Sequence, residues 1–241
     1  MNVEIKQNYE EVSQETAQRI AAYVAAKPDS LLCLAAGNTP LGAYRILREM
    51  AQEKKVDFSR CTFVGLDEWA GMDRHSDGSA QEMMYRDFFD PLGIRPEQIV
   101  YFDAASDDLE AECRRIDAYI EANGPIDLML LGIGVNGHLG LNEPGVDFAS
   151  RSHVTALSET TVTVGQKYFK ESRELTGGVT LGIAQVMESR TVLLVASGEN
   201  KAAAVRGMLH GEVTNALPAS ILQRHADCTA IVDKAAAGAA E

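Results

Sequence analysis

The sequence predicts an α/β fold, a mainly parallel sheet doubly wound by helices. Two observations carry this. Short apolar runs of strand length at 31–36, 61–66, 99–102, 126–133, 191–196 and 228–232 alternate with amphipathic or alanine-rich stretches, the pattern of consecutive β-α-β units. Four polar segments, 37–39, 67–68, 136–143 and 198–201, each directly follow such a run. In a parallel sheet they gather along one edge, outside the carboxyl ends of the strands, where open α/β sheets place their ligands. At 241 residues, with 46% hydrophobic and 24% charged residues, the chain can bury a full core as one large domain or one with a subdomain.

Val12, Ile20 and Val24, with alanines between, predict a first helix over 9–26. Leu31 to Ala36 is a strand, and Leu41, Tyr44, Ile46, Leu47 and Met50 follow at helical spacing. Between them stand Gly37-Asn38-Thr39-Pro40, with Thr39 placed to cap the helix and Pro40 at its first position. A strand, a glycine turn and a helix N-terminus present free N–H groups to an anion, and no carboxylate occurs from Ser30 to Arg48. The segment is not a Walker loop, because Gly37-x4-Gly42 continues with Ala43-Tyr44. An ordinary capped helix is the plain alternative.

Cys61 to Leu66 reads as a strand that ends in Asp67-Glu68-Trp69. Unpartnered buried carboxylates are costly, so this pair faces solvent or a site. Helices follow over 79–89 and 106–122, with a strand at 99–102 between them, and then the buried strand 126–133. The stretch 146–178 is polar, lacks a clear period and ends in Gly177-Gly178. It is expected as a mobile flap over the site. Val179–Met187 reads as a helix, 191–196 as a strand, and Ser197 to Lys201 leads into a helix over 201–209. In the first turn of that helix the Lys201 charge opposes the dipole, which fits service to an anion as well as a solvated lysine. The tail after 234 is expected to fray.

Lys plus Arg number 22 against 35 Asp plus Glu, a net charge of −13, which argues against nucleic acid or an anionic membrane as partner. Met1 to Lys6 lacks the blocks of a signal peptide, and no apolar run reaches the roughly 18 residues of a membrane helix. Four cysteines without C-x-x-C spacing suggest buried reduced thiols in a cytoplasmic protein. Five scattered histidines give no zinc spacing, so neither a metal nor a cofactor is expected.

The loop after 126–133 holds an amide, an imidazole and a carboxylate within eight residues: Asn136, His138 and Glu143. Gly137, Gly140 and Gly145 permit sharp turns, and Pro144 pushes Glu143 to extended geometry. A solvated structural loop is one rival reading. A dinucleotide site is another, since Gly132-Ile133-Gly134-Val135-Asn136-Gly137 formally matches G-x-G-x-x-G and Glu159 lies about twenty residues on. That fingerprint needs a helix opening at its third glycine, and 138–150 shows no helical period. A catalytic loop is the better reading. With no G-x-S-x-G and no cysteine in a basic neighbourhood, acid–base chemistry outranks covalent catalysis. A carboxylate base at 67–68, an imidazole with its own carboxylate and an anion cradle suit proton transfer next to a carbonyl in a sugar phosphate.

Four segments then carry a specific resemblance: Ala36-Gly37-Asn38-Thr39-Pro40-Leu41-Gly42, Leu66-Asp67-Glu68-Trp69, the run Gly132 to Gly145 with its Asn142-Glu143-Pro144-Gly145, and Gly198-Glu199-Asn200-Lys201-Ala202. In this order they resemble glucosamine-6-phosphate deaminases and their galactosamine-6-phosphate relatives, over about residues 3 to 233. The resemblance implies a Rossmann-like domain spanning 1–241, with 146–178 as its lid. It implies conversion of a 2-amino-2-deoxyhexose 6-phosphate and water into a ketohexose 6-phosphate and ammonia. By the same resemblance His138, oriented by Glu143, opens the ring, and Asp67 carries a proton from C2 to C1. Gly37, Asn38, Thr39 and Lys201 hold the phosphate, Lys167 stands where an arginine of the flap often helps, and Glu68 and Gly137 complete the substrate contacts.

Asn136 replaces an aspartate found in many members, so it can orient but not act as a base. Lys167 lacks the bidentate fork of arginine. Val146, Asp147, His153 and Thr155 stand where allosteric members carry serines and basic residues, so no activation by N-acetylglucosamine 6-phosphate is expected. Trp69 stands where tyrosine is usual in glucosamine enzymes and also resembles galactosamine-type relatives; glucosamine 6-phosphate is kept ahead. The related 6-phosphogluconolactonases share the Gly-His loop but usually continue with a Ser-Leu-Phe-Pro-like sequence. A lactonase and a non-catalytic sugar-phosphate sensor are the alternatives, and a homo-oligomer is left open.

Overall fold

β6 (Leu128–Gly132) is the central strand of the molecule, paired in parallel with β2 (Leu31–Leu34) on one side and β9 (Thr191–Ala196) on the other. The computed structural model describes residues 1–238. Beyond β2 lie β3 (Thr62–Val64) and β5 (Ile99–Val100); beyond β9 lie β10 (Cys228–Asp233) and β1 (Asn2–Lys6). The seven-stranded sheet therefore runs β1-β10-β9-β6-β2-β3-β5, all parallel. From β2 the chain winds outward to β5, returns to β6 and winds out the other way. The order reverses between β2 and β6, which opens a crevice at their carboxyl ends.

Both faces of the sheet are covered, which is why its strands read as near-continuous apolar runs. Leu32, Leu34, Leu128, Leu130, Leu193 and Val195 pack in one cluster with residues of α1 (Tyr9–Ala26), α2 (Leu41–Gln52) and the helix built from α3 (Ala80–Met84), a π turn (Tyr85–Phe89) and α4 (Asp90–Leu92). Leu31, Cys33, Met129, Leu131, Val192 and Leu194 face α5 (Leu109–Asn123), α7 (Ile183–Glu188) and α8 (Ala202–His210). The four cysteines are buried and unpaired. Among the described residues no helix is long and apolar enough to cross a membrane.

A second, antiparallel sheet of order β4-β8-β7 joins β4 (Asp67–Trp69), β8 (Gly178–Thr180) and β7 (His153–Thr155). It corrects the helix expected over Val179–Met187. Gly178 to Thr180 is a strand bonded on both sides, and α7 starts only at Ile183, after Gly182 donates its N–H to Gln185 Oε1 at 2.7 Å. The stretch 146–178 holds β7, α6 (Glu159–Gly165) and a 3-10 turn at Gln166–Tyr168. Its Leu157, Val162, Tyr168 and Phe169 pack on a small cluster of Trp69, Met72, Leu141 and Leu175.

Two further expectations are revised. Thr39 does not cap α2: the helix begins at Leu41 with no side-chain cap bond, and Tyr9 Oη of α1 accepts the Gly42 N–H at 2.8 Å instead. The tail is ordered as far as the description reaches, because Asp233 accepts the Ala236 N–H at 2.7 Å and Ala236 is buried; the remainder of the tail, 239–241, lies outside the described residues.

Candidate functional site

The loops that follow β9, β6, β2 and β3, four neighbouring strands, meet in one cleft, and residues from 160–168 close its outer side. Gly37, Asn38, Thr39, Asp67, Glu68, His138, Lys167 and Lys201 line it, joined by Gly134, Thr161, Tyr168 and Trp69.

His138 owes its place to two features of its loop. Its ring lies against Gly134, where a Cβ would stand 2.5 Å from the imidazole, so only glycine leaves room. Its N–H donates to Asn136 Oδ1 at 3.2 Å. Behind the ring, Asn136 Nδ2 donates to Glu143 Oε2 at 2.8 Å and to Ser158 Oγ at 3.2 Å. The Ser158 N–H reaches Glu143 Oε1 at 3.3 Å. Burial alone would raise the Glu143 pKa. The His138 ring, Thr161 and Asn136 beside it outweigh burial and bring the carboxyl down to about 2. Asn136 thus acts mainly on Glu143, and touches His138 only through its backbone.

Asp67 opens β4 and lies in the cleft floor, wetted on one side yet surrounded by protein atoms. That burial pushes its pKa up to about 6, while nearby His138 pulls it down. A carboxylate poised near neutrality in a cleft is suited to proton transfer. Glu68 proves different from the expected substrate contact. Although it borders the cleft, its carboxylate accepts the N–H groups of Trp69 and Ala80 at 2.9 Å and Gln81 at 2.8 Å. It anchors the start of α3. Burial raises its pKa to about 7 against those three donors.

The cationic end of the cleft is built from Lys201 and Lys167. Lys201 Nζ donates to the Ile133 carbonyl at 2.7 Å. Burial and the neighbouring Lys167 lower its pKa to about 8. Lys167, an exposed residue, sets its Nζ 4.9 Å from the Tyr168 ring centroid, and desolvation lowers its pKa too. Two neighbouring ammonium groups, one lowering the pKa of the other, in a chain of net charge −13 suit an anion. Gly37, at φ 96°, carries the chain past the Tyr168 hydroxyl, which would stand 2.9 Å from a Cβ there. Gly137 does not reach the cleft: it turns at φ 83° and its Cα faces Leu217.

Sequence reasoning missed Ser158, Thr161, Tyr168 and Gly134. Ser158 caps α6, with its Oγ accepting the Thr161 N–H at 3.2 Å. Its Ser-x-x-Thr spacing was the one signal available in a stretch without periodicity.

Residues 4–231 match the family described as glucosamine-6-phosphate isomerases/6-phosphogluconolactonase. The chain is 38% identical over 238 residues to a glucosamine-6-phosphate deaminase of Thermoanaerobacter pseudethanolicus, covering 98% of this chain and 94% of that one. It is 40% identical over 239 residues to the deaminase of Bacillus velezensis, covering 99% of each. The solved structure of a monomeric glucosamine-6-phosphate deaminase superposes with a TM-score of 0.96 at 40% identity over 100% of both chains. The 6-phosphogluconolactonase of Leishmania guyanensis shares the fold, at a TM-score of 0.76 and 21% identity over 98% of this chain and 97% of that one.

Proposed function

The chain belongs to the family of glucosamine-6-phosphate isomerases and 6-phosphogluconolactonases, and we propose that it divides an isomerising deamination between Asp67 and the His138–Glu143 pair. It converts glucosamine 6-phosphate and water into a ketohexose 6-phosphate and ammonia. The observation that carries the division of labour is the Asp67 carboxylate, held near neutrality in the same cleft as the imidazole and the two lysines.

The phosphate rests between Lys201, Lys167 and the Gly37–Thr39 loop, which fixes the sugar against Asp67. His138 takes the proton of the anomeric hydroxyl and gives one to the ring oxygen, opening the ring to the aldehyde. The C2 proton is then acidified by the C1 carbonyl and the C2 ammonium, and Asp67 removes it. An ammonium proton passes to the C1 oxygen to give the neutral enolamine, and the same carboxylic acid then returns its proton to C1, leaving an iminium at C2. Water adds there and ammonia departs. Asn136 holds Glu143, and Glu143 faces the Nδ1 edge of the ring. The segment 146–178 serves as the lid, since its Thr161, Val164, Lys167 and Tyr168 form the outer wall of the cleft.

The working state is a monomer, as for the structural relative described as monomeric. Ammonia release from glucosamine 6-phosphate, and separately from galactosamine 6-phosphate, tests the assignment. Release that vanishes in Asp67→Asn supports it, and the ratio of the two rates measures the C4 preference. Hydrolysis of 6-phosphogluconolactone without ammonia release would replace it by the lactonase reading.

A further inference from the structure

We propose that Thr161 is a positioning residue for this reaction, its hydroxyl holding the Nδ1 edge of His138 so that α6 sets the tautomer and aim of the imidazole. The role of the ring rests on the deaminase reading; the hold on the ring rests on geometry.

The Glu143 carboxylate, expected to orient the histidine directly, stands 3.7 Å from Nδ1, beyond hydrogen-bonding reach. Thr161 Oγ1 is closer, at 3.2 Å. Both Glu143 oxygens have other donors, Oε2 from Asn136 and Oε1 from the Ser158 N–H. Thr161 is 4% exposed and cannot swing away, because its N–H and its hydroxyl both bond Ser158 Oγ, at 3.2 and 3.1 Å.

The donor inventory then selects a tautomer. A hydroxyl has one proton and two lone pairs. Ser158 Oγ donates to one Thr161 lone pair. The Thr161 proton turns toward the nearby Glu143, which is ionised, rather than toward the ring. One lone pair remains for Nδ1, so Nδ1 carries the hydrogen and donates it. Nε2 is left with its lone pair, the form able to accept a proton from the anomeric hydroxyl.

Thr161 lies on α6, which rests on the small cluster of Trp69, Met72, Leu141 and Leu175 rather than on the main core. The aim of the histidine therefore depends on how this segment is seated. A displaced lid disarms the ring even with His138 and Glu143 in place.

Thr161→Val keeps the shape and removes the hydroxyl, whereas Thr161→Ser keeps the hydroxyl. The valine variant is expected to lose about 10- to 100-fold in kcat for ammonia release, with KM within about threefold, and the serine variant to recover most of the loss. Long-range 1H–15N spectra of the imidazoles, with His138 identified by its absence in His138→Gln, are expected to show the Nδ1–H tautomer in the unmodified protein and a shift toward Nε2–H in Thr161→Val. That readout needs no turnover. A tautomer shift in a protein that releases no ammonia would overturn the deaminase reading and leave the hold on the ring standing. An unchanged tautomer, or equal losses of kcat in the valine and serine variants, overturns the proposal.

Discussion

The Lys201 ammonium donates to the Ile133 carbonyl at 2.7 Å, tying the loop after β9 to the loop after β6. An ammonium carries three donors, so two remain for a phosphate. Lys201→Ala should raise KM for glucosamine 6-phosphate about 10- to 100-fold, the range of a lost charged hydrogen bond in a buried place. Lys167→Ala, at a more exposed site, should raise it less, by about threefold to tenfold. Steady-state kinetics on both variants tests this, and an unchanged KM in Lys201→Ala would remove Lys201 from the phosphate site.

The rate should follow a bell-shaped curve in pH. Asp67, with its pKa pushed up to about 6, must be ionised to take the C2 proton, so activity falls as pH drops through that value. With Lys201 assigned to the phosphate and its pKa lowered to about 8, affinity should fall as pH rises past that value. The substrate amine also titrates, and an amine-free hexitol 6-phosphate separates the two. Its competitive inhibition constant should weaken on the alkaline side alone. Inhibition that is flat from pH 7 to 9 would assign the alkaline limb to the substrate.

Asp67→Asn should exchange activity for stability. The loss of ammonia release is expected at about 10²- to 10⁴-fold, the usual contribution of a general base. The folded protein binds the Asp67 proton more tightly than the unfolded chain does, since its pKa rises from 3.8 to about 6. Wild-type stability therefore drops as pH climbs through that window, and the amide escapes the penalty. Denaturant unfolding should show the variant gaining on wild type by about 1–3 kcal/mol between pH 4 and pH 8. A gap that shrinks over that range would contradict the raised pKa.

Gly134→Ala and Gly42→Ala should fail in different ways. The new methyl at 134 meets the His138 ring at 2.5 Å, so kcat should fall about tenfold or more through misplacement of the imidazole, with little change in Tm. At 42 it collides with the Ser13 side chain, where α1 packs on α2. That overpacking should cost about 1–3 kcal/mol of stability. Melting curves set beside kinetic constants distinguish the two, and a melting loss at 134 as large as at 42 would contradict the assignment.

The parallel sheet was legible because strands buried on both faces leave uninterrupted apolar runs, and the turns after them collect the unusual polar residues. That is how Asp67, His138 and Lys201, which the structure brings to one cleft, could be singled out in the sequence, with Glu143 beside the ring. The second sheet was not legible. Its strands are three residues long and pair across about 25 to 110 positions, and Val179, Leu181, Ile183 and Val186 suit a helix equally well. Only the pairing of β8 with β4 and β7 decides it. The Glu68 role was hidden for a related reason, since two of its donors lie twelve and thirteen residues on. Thr161 lay in a polar stretch where neither period nor motif distinguishes a hydroxyl in the cleft from one in water.

Asn2–Lys6, the first strand of the sheet in chain order, has as its ladder partner Cys228–Asp233, the last. Until that strand exists, Val3 and Ile5, still 43% and 56% exposed in the finished fold, have no neighbour to pair with. The central strand waits as well, because β9 must arrive before β6 is flanked on both sides. Assembly therefore proceeds from the middle outward and late, with the opening segment docking among the last. Nascent chains halted before β10 should be protease-sensitive within Asn2–Lys6.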